Sequence, residues 1–164
     1  GGRKALFALD NLWDGIGGLI ATDPTVKYLS GKVTIYSTSP EMSRKAMVYY
    51  LDMSFGDREG LITSKNPETC TPEQAAFFKE MFTGADYKEN YAILNNYVKS
   101  LGDSIPPFIH LYIGLSPTMK TFGTTFDPDF GDCYDTAMII TTDDIYPDKY
   151  KRYVESYEKC KVRK

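Results

Sequence analysis

The sequence of 164 residues predicts a mixed α/β fold. Three observations favour it. Residues 4–21 have apolar positions at helical spacing, the alternating strand 32–36 is followed at once by a second helix, and two further strands are predicted at 121–126 and 137–142. Helical patterns dominate between the first strand and the late pair, so we expect an inserted helical segment around 71–117.

The first helix is predicted at 4–21. Its apolar positions are Ala5, Leu6, Leu9, Leu12, Trp13, Ile16, Leu19 and Ile20. Gly15, Gly17 and Gly18 weaken its last turn as a helix, so we expect these glycines to permit close approach of a neighbouring backbone. Asp23-Pro24 then closes the segment.

The second helix is predicted from Ser39, as its N-cap, to about Ser54, with Pro40 in its first turn. Its predicted apolar stripe comprises Met42, Ala46, Tyr49, Tyr50 and Met53. Thr71–Gln74 has the pattern of a capping box and Asp86 begins another helix. The later elements are helices at 75–82, 87–100, 105–115 and 147–157, and the two strands, which the acidic connection 127–135 joins as a hairpin.

The composition is that of a globular protein, with 42% hydrophobic and 25% charged residues. A net charge of −3 gives no basis for nucleic-acid binding. Three cysteines without close pairs argue against a disulfide framework or a zinc site. We find no signal peptide and no membrane-spanning apolar run, so we expect a cytoplasmic protein, with peripheral membrane contact left open. The 14% of aromatic residues indicates broad apolar packing or a groove for a long apolar ligand.

The start of the first helix has the features of a phosphate site. Gly1 and Gly2 would let a phosphate approach the free backbone N–H groups of a helix start, and Arg3 and Lys4 add positive charge. This combination suits a pyrophosphate or the phosphate of phosphopantetheine. The alternative is that Gly1 remains from recombinant expression.

The end of the second helix has the sequence Tyr50-Leu51-Asp52-Met53-Ser54-Phe55. Its order after the strand KVTIY resembles the GCN5-related N-acetyltransferase (GNAT) superfamily, in which a G-x-G/A turn leads into a cofactor helix and a later helix ends in Tyr-x-x-x-Gly-Phe. Tyr50 and Phe55 match, while Ser54 departs at the glycine. The turn Gly2-Arg3-Lys4-Ala5 lacks the usual second glycine.

A finer resemblance is to the hemolysin-like branch of that superfamily, which includes long-chain N-acyltransferases for ornithine or glycine and relatives of acyl-homoserine-lactone synthases. The matching runs are ALFALDNLWDGIGGLI, YLSGKVTIYSTSP, KNPE, SIPPFIHLYIGLSPTMKTFGTTFDPDFGD and TDDIY. The resemblance implies that residues 1–164 form the C-terminal portion of a single acyltransferase domain. It also implies that N-terminal strands, including one with a Glu-x-Gly-Arg segment and the general base, lie upstream.

The resemblance implies a reaction in which a neutral amine attacks a fatty acyl thioester of coenzyme A or of acyl carrier protein, without a metal. Gly2, Arg3, Lys4 and Ala5 would then bind the cofactor. Tyr50 is the candidate acid for the leaving thiolate, since the reference pKa of tyrosine, near 10, exceeds that of a thiol, near 8.5. The alternative is that Tyr50 only fills the apolar stripe.

The candidate substrate-binding residues are Asp10, Asn11, Trp13 and Asp14, which form a polar row beside an indole. The alternative is that these polar residues form a solvated helix face, with Trp13 in the core. An amino-acid carboxylate would require a cation, for which Arg44 and Lys65 are candidates, unless both are surface cations.

Three other features receive structural interpretations. The aspartates at 127–135 lack the spacing of an EF-hand, His110 is expected in the core, and Cys133 has no evident partner for nucleophilic catalysis. The function predicted is N-acylation of an amino acid or a related small amine, as in amino-acid lipid synthesis, possible partners being acyl carrier protein and a membrane surface. The alternatives are a short-chain acetyltransferase and a non-catalytic binding module.

Overall fold

The computed structural model describes the backbone of residues 2–157 and the side chains of residues 11–157. Gly1 and residues 158–164 lie outside this description. The helices are α1 Gly2–Thr22, α2 Glu41–Phe55, α3 Pro72–Met81, α4 Tyr87–Ser100, α5 Pro107–Ile113 and α6 Pro147–Tyr150, which continues as a π-helical segment over Lys151–Glu155. The strands are β1 Tyr28–Tyr36, β2 Lys120–Asp127 and β3 Cys133–Thr141. The predicted mixed α/β class and the helical segment around 71–117 are confirmed.

The described strands form a sheet of order β1-β3-β2. β2 and β3 are antiparallel, from the pair Lys120 and Ile139 to the pair Asp127 and Cys133. The Asp127 carboxylate accepts hydrogen bonds from two backbone N–H groups of the connecting turn, and Gly131 follows with φ 75°. The predicted hairpin is therefore confirmed, and Asp127 stabilises its turn.

The chain divides into two compact units, the first of which comprises residues 1–29, 113–118 and 140–164. In this unit α1 packs against the π-helical segment. A Cβ atom on Gly17 would lie 2.1 Å from the Tyr153 carbonyl oxygen, and one on Gly18 would lie 3.0 Å from the Tyr157 ring. The predicted close approach is confirmed for these two glycines, whereas a Cβ on Gly15 would meet nothing within 4 Å.

The buried stripe of α1 is narrower than predicted. Trp13 and Ile20 are buried, but Leu12 is 49% and Leu19 is 53% exposed. Both leucines lie one position before a buried residue, so they fall beside the buried stripe that contains Trp13, Gly17 and Ile20. The helix also begins at Gly2, two residues before the predicted start, so Gly2 and Arg3 belong to the helix and not to a preceding turn.

The second unit comprises residues 30–112 and 119–139. In it α2 contacts α3, α4 and β2. Aromatic rings fill much of the space between α2 and the inserted helices, and the fully buried Phe78 ring lies 5.5–6.4 Å from the rings of Tyr49, Phe77, Phe82 and Tyr97. Part of the high aromatic content is therefore used for packing.

Two details predicted for α2 are wrong. Its N-cap is Pro40, with no side-chain cap, and not Ser39. Met53 is 36% exposed, whereas Met47 and Leu51 are buried outside the predicted stripe. The reason is that α2 is covered on several sides by β2, α3 and α4, so a single amphipathic face does not describe its burial.

The caps of the inserted helices are as predicted. Thr71 and Gln74 form a reciprocal capping box at α3, and the Asp86 carboxylate accepts from the N–H groups of Lys88 and Glu89 at α4. These bonds satisfy donors that helix starts leave unpaired. Among the described residues, no helix combines the length and apolar character needed to cross a bilayer.

We expect Thr71→Ala to lower the free energy of unfolding by about 1 kcal/mol, because the N-terminus of α3 loses its capping hydrogen bond. Ser39→Ala is the matched control, since Ser39 does not cap α2, and should cost less than about 0.5 kcal/mol. Urea unfolding of both variants measures the difference. Equal losses would show that the capping box adds no stability.

Candidate functional site

The second unit contains an open groove of about 340 Å³, within the range of small-molecule sites. Its walls come from α2, from the segment before α3 and from the β2–β3 hairpin. The lining residues are Val48, Tyr49, Leu51, Asp52, Pro67, Glu68, Thr69, Cys70, Ala75, Gly123, Thr124 and Thr136.

A β-bulge shapes the sheet wall of the groove. The register of β2 shifts between Thr121 and Thr124, and Gly123 adopts φ 84°, a conformation that favours glycine. Beside the bulge, the buried hydroxyl groups of Thr124 and Thr136 lie 2.7 Å apart. This wall is therefore polar.

The loop 57–68 is attached to β2 at both of its ends. The Asp57 N–H donates to the Thr121 carbonyl at 2.9 Å, and the Glu68 N–H donates to the Thr124 carbonyl at 2.6 Å. These bonds flank the bulge and hold Glu68 at the groove.

A compact ion cluster surrounds Glu68. Its carboxylate lies 2.8 Å from the Lys45 ammonium and 3.5 Å from Nε of Arg44. The three side chains are only 11–19% exposed, and Lys45 also donates to the Thr69 carbonyl. Two cations and one carboxylate leave one net positive charge.

Cys70 also lines the groove. Its Sγ lies 3.8 Å from the Lys45 carbonyl oxygen, and burial raises the pKa of the thiol above its usual value. The neutral thiol is the favoured form, which does not suit a nucleophile.

Tyr50 lies beside the groove residues in sequence but is not among them. Its side chain is fully buried against the rings of Phe55, Phe82 and Tyr91, and its hydroxyl donates to the Tyr87 carbonyl at 2.8 Å. Burial raises the pKa of this hydroxyl above its usual value. The arrangement favours the packing alternative, and the acid role stays a prediction.

Tyr50→Phe distinguishes these two roles. Loss of the bond to Tyr87 should lower the free energy of unfolding by about 1–2 kcal/mol. If Tyr50 only packs, the acyl-transfer rate that the sequence predicts for the intact protein is expected to stay at its original value in the variant. A fall in turnover larger than the loss of folded protein, measured beside a urea titration, would support the acid role.

The predicted residues of α1 belong to the first unit. Gly2, Arg3, Lys4, Ala5 and Asp10 lie on its helical backbone, and their side chains are outside the described residues. Asn11 and Asp14 are exposed.

Trp13 is 5% exposed. It lines a small cavity of about 10 Å³ together with Ile20 and Tyr153. This burial agrees with the alternative in which Trp13 belongs to the core. The cofactor and substrate roles of α1 stay predictions.

Three further sequence interpretations have clear outcomes. His110 is exposed, with its ring 5.5 Å from that of Tyr91, so its expected place in the core is wrong. Lys65 is a surface cation. Asp135, one of the aspartates at 127–135, accepts hydrogen bonds from the Lys32 ammonium at 2.5 Å and from the Thr34 hydroxyl at 2.6 Å.

Sequence reasoning missed Glu68, Lys45 and the bulge at Gly123 as parts of one groove. The signal for Glu68 was its place in the run KNPE. Lys45 lies in a helix whose pattern gave no reason to single it out, and the meeting of α2 with residue 68 is a tertiary contact.

Two curated proteins match nearly all of the chain. A protein of Phocaeicola vulgatus named glycine N(alpha)-acyltransferase is 42% identical over 158 residues, which is 96% of this chain and 48% of that protein. A protein of Bacteroides thetaiotaomicron with the same name is 42% identical over 159 residues, which is 95% of this chain and 46% of that protein. The predicted relationship to acyltransferases is thereby confirmed.

The chain spans about half the length of the curated relatives it matches. No family model matches it. No solved structure matches it either.

Proposed function

We propose that the protein containing this chain transfers a fatty acyl group from an acyl thioester to the α-amine of glycine. The observation that carries the proposal is the 42% identity, over 96% and 95% of this chain, to two proteins named glycine N(alpha)-acyltransferase. The resemblance to the hemolysin-like GNAT branch supports a long-chain donor, bound to acyl carrier protein or coenzyme A.

The reaction forms one C–N bond and breaks one C–S bond. The amine attacks the thioester carbonyl as a neutral group, a base removes its proton, and the departing thiolate takes up a proton. Developing charge on the carbonyl oxygen requires hydrogen-bond donors. The chain's groove supports the proposal because its α2 wall contributes the apolar Val48 and Leu51 beside the polar Thr124 and Thr136.

Tyr50 stays the proposed acid that protonates the leaving thiolate, and the residues of α1 stay the proposed binding residues. Gly2, Arg3, Lys4 and Ala5 are proposed to hold the donor's phosphate, and Asp10, Asn11, Trp13 and Asp14 to line the path of the pantetheine or amine. Acyl carrier protein and a membrane surface that receives the product are the proposed partners.

The proposal is tested with the intact protein and three donors: a palmitoyl thioester of acyl carrier protein, palmitoyl-CoA and acetyl-CoA. Mass spectrometry with isotopically labelled glycine should detect N-palmitoylglycine. Exclusive N-acetylglycine would favour the short-chain acetyltransferase. Absence of every N-acyl product from folded protein would favour the binding module.

A further inference from the structure

We propose that the Arg44 guanidinium binds the carboxylate of the amino-acid acceptor at one end of the groove. The inference rests on the proposed function and deepens it. It names the group by which an amino acid is distinguished from a simple amine.

Arg44 is held rigidly with part of its donor set unused. Its side chain is 12% exposed, and its guanidinium carbon lies 4.2 Å above the centre of the Tyr134 ring. Among the described residues, the hydrogen bonding of the guanidinium is limited to a long 3.5 Å contact from Nε to Glu68. The terminal nitrogens remain as a planar fork, which matches a carboxylate bidentately.

Arg44 is not itself among the residues that line the groove, but three residues near it are. Val48 is one helical turn after Arg44 on α2 and lines the groove. Thr136, two residues after Tyr134 on the same face of β3, lines the opposite wall. Glu68 contacts Arg44 directly and also lines the groove.

The local charge favours a monoanion. Lys45 is engaged by Glu68 at 2.8 Å and by the Thr69 carbonyl. The cluster of Arg44, Lys45 and Glu68 has one net positive charge, which one carboxylate neutralises. A pyrophosphate has at least two negative charges, so the acceptor carboxylate is the better match than the donor's phosphates.

The test measures steady-state kinetics of the intact protein with glycine and with glycinamide, which has the amine but not the carboxylate. Arg44→Gln should raise KM for glycine by roughly 10- to 100-fold. It should leave the rate with glycinamide and the KM for the acyl donor unchanged. Arg44→Lys keeps the charge without the fork and should restore only part of the loss. Lys27→Gln is the control, because Lys27 is also a cation paired with a carboxylate, Asp143, but is 59% exposed and lies outside the groove.

Unchanged preference for glycine over glycinamide in Arg44→Gln would overturn the inference, and so would a raised donor KM with an unchanged glycine KM. Glycinamide turnover and thermal melting control for misfolding. Calorimetric titration with glycine separates this inference from the proposed function. Glycine binding that depends on Arg44, in a protein without acyl transfer, would support the carboxylate site while the proposed function fails. Acyl transfer with Arg44-independent glycine binding would overturn only the inference.

Discussion

Phe78→Ala is expected to lower the free energy of unfolding by about 3–5 kcal/mol. Phe78 is fully buried, and its ring contacts Tyr49 of α2, Phe82 and Tyr97 of α4. Removing the ring therefore deletes apolar burial and leaves a cavity shared by three helices. This is the largest stability effect that we expect from one truncation in the described chain.

Phe77→Ala is the matched control. Phe77 is the preceding residue of α3, but it is 46% exposed. Its truncation should cost less than half as much, because much of the ring is already in water. Urea unfolding followed by circular dichroism measures both variants. Similar losses would show that the interface of α3 with α2 and α4 is not the packed core described above.

Glu68→Gln is expected to lower the free energy of unfolding by about 2–4 kcal/mol. The change removes the only carboxylate within 4.0 Å of both Arg44 and Lys45 among the described residues. Two largely buried cations would then repel one another without compensation. The glutamine keeps the side chain's size, so the loss reports mainly on charge.

Glu59→Gln provides the comparison for Glu68→Gln. Glu59 lies 2.6 Å from the Lys120 ammonium, but it is 64% exposed. Its loss should cost less than about 1 kcal/mol, and high salt should reduce that small effect further. If both variants lose the same stability, the ion cluster at Glu68 is no better shielded from solvent than a surface pair.

The elements with strong local signals were predictable from the sequence. The capping box at Thr71 and the cap at Asp86 satisfy backbone donors through residues three positions away or fewer, so their pattern is local. Serine also favours N-cap positions, yet the N-cap of α2 is Pro40 and not Ser39, and no side chain caps this helix. Burial of α2 on several sides depended on helices that lie far along the chain, which explains why Met53 was misplaced.

The candidate site was less predictable, because tertiary contacts assemble it. Arg44 was recognised as a possible carboxylate ligand from its charge alone. Its stacking on Tyr134 and its contact with Glu68 bring together positions on α2, β3 and the loop attached to β2. Tyr50 could be named from the resemblance, whereas its bond to the Tyr87 carbonyl depends on the path of α4.

The strand order has a consequence for biosynthesis. β3 is the last of the three described strands to be made, yet it lies between β1 and β2. β1 must therefore wait about a hundred residues for β3, while the ribosome produces α2 to α5. Helices form from local contacts, but distant strand pairing is slow. We therefore expect the inserted helices to collapse first on the nascent chain, with the edges of β1 and β2 that face β3 unpaired until the hairpin closes.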